Sequence, residues 1–187
     1  GYADAGGGVY LAGSNCIIDD VIIQNCHGYW KGGGVFSTGD SSSLVNCNIN
    51  NNSSDDGGGL YCYYSTLNIL SSKIQYNFTN DDGGGIYLDN SDPIIKKTLI
   101  SNNNSDYGGG CYIWYSNPQL INCTLSGNNS VHGSALYCDR SDTSLLSSIV
   151  WNNTTYPIFL NNPNSYHTNS IDISFCDILN GQSGVYN

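Results

Sequence analysis

The chain reads as an all-β, right-handed parallel β-helix of about seven laps, with three strands per lap and about 25 residues in each. Two observations predict this. A tract of three glycines recurs at Gly6, Gly32, Gly57, Gly83 and Gly108, with a degenerate copy at Gly133-Ser134-Ala135, in steps of 26, 25, 26, 25 and 25 residues. Between the tracts, apolar residues alternate or fall singly among Asn, Asp, Ser and Gly, and no stretch carries a helical period.

Counting from the first glycine of each tract as position zero, the opening strand spans positions 2–6. Position three is Val9, Val35, Leu60, Ile86, Cys111 and Leu136, and position five is Leu11, Ser37, Cys62, Leu88, Ile113 and Cys138. Alternation of this kind marks a strand with one face inward. The second strand, positions 10–14, is anchored at position twelve by Ile18, Leu44, Ile69, Ile95, Leu120 and Leu145. The third, positions 15–18, is anchored at position seventeen by Ile23, Ile49, Ile74, Ile100, Leu125 and Val150. Regular repeats cover residues 6–157. The seventh lap, residues 158–187, opens with Ile158-Phe159-Leu160 and resumes at Ile173, Cys176 and Ile178, with a lateral loop expected within Asn161–Asn169. Residues 1–187 therefore form one solenoid domain. Laps spaced about 4.8 Å apart make a rod roughly 30–35 Å long.

Composition narrows the function. The net charge is −10 with five basic residues, which argues against nucleic acid and anionic membranes as partners. No run of 18 apolar residues occurs, so no membrane-inserting helix is expected. Most of the eight cysteines are expected to be free and buried. Cys47 and Cys123 share a column three laps apart, too far for a disulfide, as do Cys62 and Cys138. Cys111 with Cys138, on adjacent laps, is the best candidate bridge.

Three columns are candidate functional features. Position four is aromatic throughout: Tyr10, Phe36, Tyr61, Tyr87, Tyr112 and Tyr137. Lying between two inward positions, it is expected to face outward as a surface stripe. The stripe serves either as stacked pairs that stabilise the sheet or as a platform for sugar rings or a partner. Position twenty is Asn52, Asn77, Asn103, Asn128 and Asn153, each followed two residues on by Ser or Thr. This column reads either as an internal amide ladder or as a row of N-glycosylation sites. Asn122, in Asn122-Cys123-Thr124, reads as a more accessible acceptor. An aspartate column at Asp4, Asp55, Asp81 and Asp106, with Asp56 and Asp82 beside it, precedes the glycines. Its carboxylates are expected to accept hydrogen bonds from the glycine amides. The alternative is Ca²⁺ bridging Asp55, Asp81 and Asp106 between laps; otherwise no cofactor is expected.

No catalytic residues are assigned, and the chain is not expected to be an enzyme. Lys31, Lys73, Lys96, Lys97 and Arg140 are scattered, and His27, His132 and His167 share no triad or metal spacing. The pairs Asp55/Asp56 and Asp81/Asp82 have the residue types of glycosidase carboxylate pairs, yet they fall at a repeated corner, which points to structure.

The units Gly83-Gly84-Gly85-Ile86-Tyr87, Leu125-Ser126-Gly127-Asn128 and Gly108-Gly109-Gly110-Cys111-Tyr112 resemble those of the right-handed parallel β-helix, or pectin-lyase-like, superfamily. They are most similar to repeats of the polymorphic outer-membrane-protein type and of related secreted bacterial surface proteins. The resemblance covers residues 6–155 well. It implies an extracellular or cell-surface location and a structural or adhesive role, with a carbohydrate-binding or carbohydrate-cleaving module of a larger secreted protein as the alternative. No capping helix is visible at either end. The expected partners are therefore copies stacking end to end as a fibre, or further laps of a longer solenoid, together with attached glycans.

Overall fold

A computed structural model of the chain describes residues 1–162 and 169–186. Within them, three long parallel sheets form the walls of a β-solenoid. The first holds eight strands, from Val9–Ala12 to Val185–Tyr186. The second and third hold seven each, beginning at Ile17–Asp19 and Ile22–Gln24 and reaching Ser170–Ser174 and Asp177–Ile178. Each strand pairs with its equivalent one repeat away. Val35, Leu60, Ile86, Cys111, Leu136 and Ile158 thus stand in one column, with Ile86 and Leu136 on the same wall. A single 3₁₀ turn, Gly181–Gly184, is the only helical element among the described residues. The centre of the proposed lateral loop, residues 163–168, lies outside the described residues, as does His167.

The columns at positions three, five, twelve and seventeen merge into one continuous core. From Val35 to Ile158 its aliphatic members are fully buried, and each stabilises the fold by about 1.5–3 kcal/mol before chain entropy is counted. All eight cysteines are free, so the Cys111–Cys138 bridge does not form. Cys47 and Cys123 instead direct their thiols at the Ile18 and Ile95 carbonyls, at 3.4 and 3.3 Å.

Each lap turns its corners through residues of positive φ, among them Asn46, Asn90, Asn102 and Asn122. Asn tolerates this region better than most residues do, which accounts for part of the asparagine content. The glycine tract combines two demands. Gly83 has φ +69°, while Gly84 and Gly85 sit where a Cβ would come within 2.6 Å of the Asn104 carbonyl oxygen and 2.5 Å of that of Gly110. The lap above leaves no room for a side chain.

The structure adds a fourth, narrower sheet to the three predicted. It pairs Tyr2–Ala5, His27–Lys31, Ser53–Ser54 and Phe78–Thr79, and isolated bridges carry the line on through Asn104 and Asn129. It lies between the asparagine column and the glycines. The corner there is therefore an extended segment with its own outward side chains.

Candidate functional site

The fourth sheet changes the surroundings of the aromatic column. Position-four residues do stand in register, and their rings stack from lap to lap. Centroids are 5.2 Å apart for Tyr10–Phe36, 4.6 Å for Tyr61–Tyr87, 4.8 Å for Tyr87–Tyr112 and 5.0 Å for Tyr112–Tyr137. The expected surface stripe is corrected, however. Phe36, Tyr61, Tyr87 and Tyr137 are buried and Tyr112 is half-buried, while Tyr10 alone is open, at 57% exposure. Alternation along a strand sets which face a side chain takes, but not what stands beside that face.

The residues just before the glycines stand beside it. Ala5, Lys31, Asp56, Asp82, Tyr107 and His132 occupy equivalent places, linked by pairings of Ala5 with Lys31, Lys31 with Asp56, Asp82 with Tyr107, and Tyr107 with His132. Three of them contact the aromatic ring one lap further on. Lys31 Nζ lies 4.4 Å from the Tyr61 ring centroid and donates to Tyr61 Oη at 2.9 Å. Tyr107 meets Tyr137 edge to face at 5.4 Å, and His132 meets Phe159 at 4.9 Å. Tyr61 Oη in turn donates to Asp89 Oδ2 at 2.9 Å.

Between Lys31 and Tyr107 the column presents carboxylates. Here the groove opens into a cavity of about 370 Å³ lined by Asp56, Asp81, Asp82, Asp106, Tyr107, Tyr112 and Tyr137. Burial pushes the Asp56 carboxyl up to about 6, against a hydrogen bond from the Asp82 amide; Asp81 and Asp55 push further up and Lys31 opposes them. Burial also raises Asp82, to about 7, and the negative charges of Asp56, Asp81 and Asp106 add to the effect. The hydroxyls of Tyr61, Tyr87 and Tyr112 are raised well above their usual range, by burial first, and next by Asp89 at Tyr61, by Tyr112 at Tyr87 and by Asp82 at Tyr112.

The other predicted columns fall elsewhere. Asn52, Asn77, Asn103 and Asn128 are fully buried. Each Nδ2 donates to the Oδ1 of the next asparagine, at 3.0–3.1 Å, and to a carbonyl of the preceding lap: Ile23, Ile49, Ile74 and Ile100 in turn. This is the internal ladder, and it excludes these four as glycan acceptors in the folded chain. Asn153 closes the ladder half-buried, whereas Asn122 is exposed at a corner. A second ladder, which the sequence reading missed, runs through Ser65, Ser91, Ser116 and Ser141, each amide donating to the next hydroxyl at 2.9–3.0 Å. Its constant offset of eight from the glycines was the available signal.

The aspartate expectation also changes. The glycine amides donate to backbone carbonyls of the next lap, as in Gly57 to Asp82 and Gly58 to Gly83, and not to carboxylates. Asp55, Asp81 and Asp106 are joined through their backbones. Among the described residues, no three His, Cys, Asp or Glu side chains are grouped so as to hold a metal ion, so the Ca²⁺ candidates Asp55, Asp81 and Asp106 do not form a ligand set.

No family model and no curated protein matches the chain. Among solved structures it has a distant likeness to a trypsin-treated variant of QnrB1, described as a plasmid-mediated fluoroquinolone resistance protein. The two share 13% identity over 94% of this chain and 93% of that one, with a TM-score of 0.17, too low to carry any argument.

Proposed function

We propose that the chain is a structural or adhesive β-solenoid of the cell surface or medium, a rod to which further laps add end to end. One observation carries this reading. The last described lap leaves its core uncovered: Ile171, Ile173, Cys176, Ile178 and Val185, all half-buried, surround an apolar cavity of about 600 Å³ in line with the buried columns. At the opposite end Val9, Ile18 and Cys26 are likewise only partly buried. Another lap of the same pattern, from a second copy or the same polypeptide, fits both surfaces, and unpaired parallel strand edges favour its addition. Export, and the finer placement among right-handed pectin-lyase-like β-helices, rest on the glycine–aliphatic–tyrosine units. In this reading the chain catalyses no reaction and needs no cofactor, and Asn122 is the site open to a glycan.

Electron microscopy and sedimentation at rising concentration test the proposal. Rods that lengthen support it, and a strict monomer across the range refutes end-to-end addition. The alternative, a carbohydrate-binding or carbohydrate-cleaving module, is favoured by the half-buried Asp56 and Asp82 in a tyrosine-lined groove. Binding or hydrolysis of soluble polysaccharides, lost in Asp82→Asn, would decide for it.

A further inference from the structure

Charge is sorted by corner and by lap. The corner between the second and third walls holds Lys73, Lys96 and Lys97, three of the chain's five basic residues. All three are exposed, and the one ion pair among the described residues, Arg140 with Asp139, uses none of them. The corner that follows the fourth sheet holds carboxylates at the same levels. Lys73 shares the lap opening at Gly57 with Asp81, and Lys96 and Lys97 share the next with Asp106. On the lap opening at Gly6 the signs are exchanged: Asp19 and Asp20 stand at the first corner and Lys31 at the second. Lap for lap, no level sets like charges at both corners.

The shapes also match. Beside the second corner, the flank of the fourth sheet sinks into a trough of about 520 Å³, whose lining includes Phe78, Thr79, Asp106, Val131 and His132. Phe78 and Val131 are exposed apolar side chains. Thr79 Oγ1 and His132 Nδ1 are buried without a hydrogen-bond partner among the described residues, and such atoms are few in a finished surface. The lysine corner is a ridge. Lys97 turns it at φ +53°, and half-buried Leu70, Leu99 and Ile121 flank it.

We infer that the lysine corner of one copy docks into the trough and acidic corner of a second copy, the two rods lying side by side with axes parallel and laps level. Lys96 and Lys97 then face Asp106 and Asp81 of the neighbouring copy, while Asp19 and Asp20 face its Lys31. A shift of two laps along the axis would bring Lys31 level with Lys73, so the charges fix the register. The contact joins two different surfaces by translation. It therefore repeats without closing and lays rods into a row. Exposed ion pairs make it weak and sensitive to salt. End-to-end addition uses the apolar ends and is a separate contact.

Sedimentation velocity and electron microscopy of the intact chain test the inference. At about 0.01 M salt, mass should rise with concentration and images should show rods flank to flank. At about 1 M salt the rows should part, while any apolar end-to-end contacts persist. Two double variants at exposed positions, Lys96→Glu with Lys97→Glu and Asp81→Lys with Asp106→Lys, should each weaken the flank contact about tenfold or more. An equimolar mixture of the two should restore it, because the intact corners match and the reversed corners match each other. Carbodiimide treatment of mixed isotopically light and heavy chains should link Lys96 or Lys97 of one copy to Asp81 or Asp106 of another. The salt dependence and these cross-links keep the test decisive if a reversed variant fails to fold. Rods that lengthen without pairing at low salt overturn this inference and leave end-to-end addition standing, and a strict monomer overturns both. Rows that survive either reversal, or a mixture that stays dispersed, overturn the flank contact as well.

Discussion

Removing one rung of the asparagine ladder should cost more than a single side-chain contact suggests. Asn103 is fully buried, and its amide serves two laps. Its Oδ1 accepts from the Asn77 amide and from Asn77 Nδ2, each at 3.0 Å, while its Nδ2 donates to the Ile74 carbonyl at 2.9 Å and to Asn128 Oδ1 at 3.0 Å. In Asn103→Ala, Asn77 Nδ2 keeps the Ile49 carbonyl and Asn128 Oδ1 keeps the amide of residue 103. The Asn77 N–H and the Ile74 carbonyl lose the partners that the side chain gave them. The carbonyl stays within the pairing of Lys73–Gln75 with Leu99–Ser101, so one group is stranded and the variant should lose about 1–3 kcal/mol. Urea unfolding followed by far-UV circular dichroism measures the loss, with Asn80→Ala, at an exposed position, expected within about 0.5 kcal/mol of the parent. Hydrogen exchange should accelerate first at Asn77. Asn103→Asp keeps the shape but sets an acceptor against two others, and its loss should grow as pH rises above about 4, where the unfolded carboxyl ionises and the buried one resists. An Asn103→Ala variant as stable as Asn80→Ala would refute the ladder's role.

Other perturbations address the groove, the core, the corners and the surface. Asp56 and Asp82 have folded pKa values of about 6 and 7, above their usual 3.8. The folded state therefore holds their protons more tightly, and their contribution to stability should fall as pH rises from about 4 to 7 and level off above. The urea midpoint of Asp82→Asn should show a shallower decline than the parent, and an identical slope would refute the assignment. Burial raises the thiol of Cys138 to about 12, and those of Cys62 and Cys111 are also raised. A thiol reagent should modify exposed Cys16 in the native chain and reach these three only on unfolding, as peptide mass mapping would report. Gly85→Ala places a Cβ 2.5 Å from the Gly110 carbonyl and should cost about 3 kcal/mol or more. Gly13→Ala, at φ +56° with open space around it, should cost only about 1–2 kcal/mol in backbone strain, and a smaller loss at Gly85 than at Gly13 would contradict the packing. In a glycosylating secretory host, peptide mapping should find a glycan at Asn122 and none at Asn77 or Asn103.

The lap period and the core were legible because each apolar column is a direct statement about one wall. Val35, Leu60 and Ile86 repeat at one offset, and nothing but stacking explains that. The fourth sheet was not legible. Its strands Ser53–Ser54 and Phe78–Thr79 are two residues long, too short to alternate, and they contribute little to the core. Missing it led to the error over the tyrosines, since Lys31, Tyr107 and His132 meet the rings of the next lap only once that corner is extended. The asparagine sequence pattern fitted both a ladder and a glycan row, because both need the same residues and only side-chain direction separates them. The groove was readable in principle: the residue before each glycine tract runs Lys31, Asp56, Asp82, Tyr107, His132, a series whose charge changes sign and then gives way to rings.

The lap-to-lap register also has a mechanical consequence. Each interior strand of the walls is held by its equivalents one repeat before and one repeat after, and among the described residues the sheet pairings join neighbouring laps. Tension applied to the two termini would then unreel the chain one coil at a time. Each step would release about 25 residues, roughly 85 Å of extended polypeptide, while the coils behind it stayed wound.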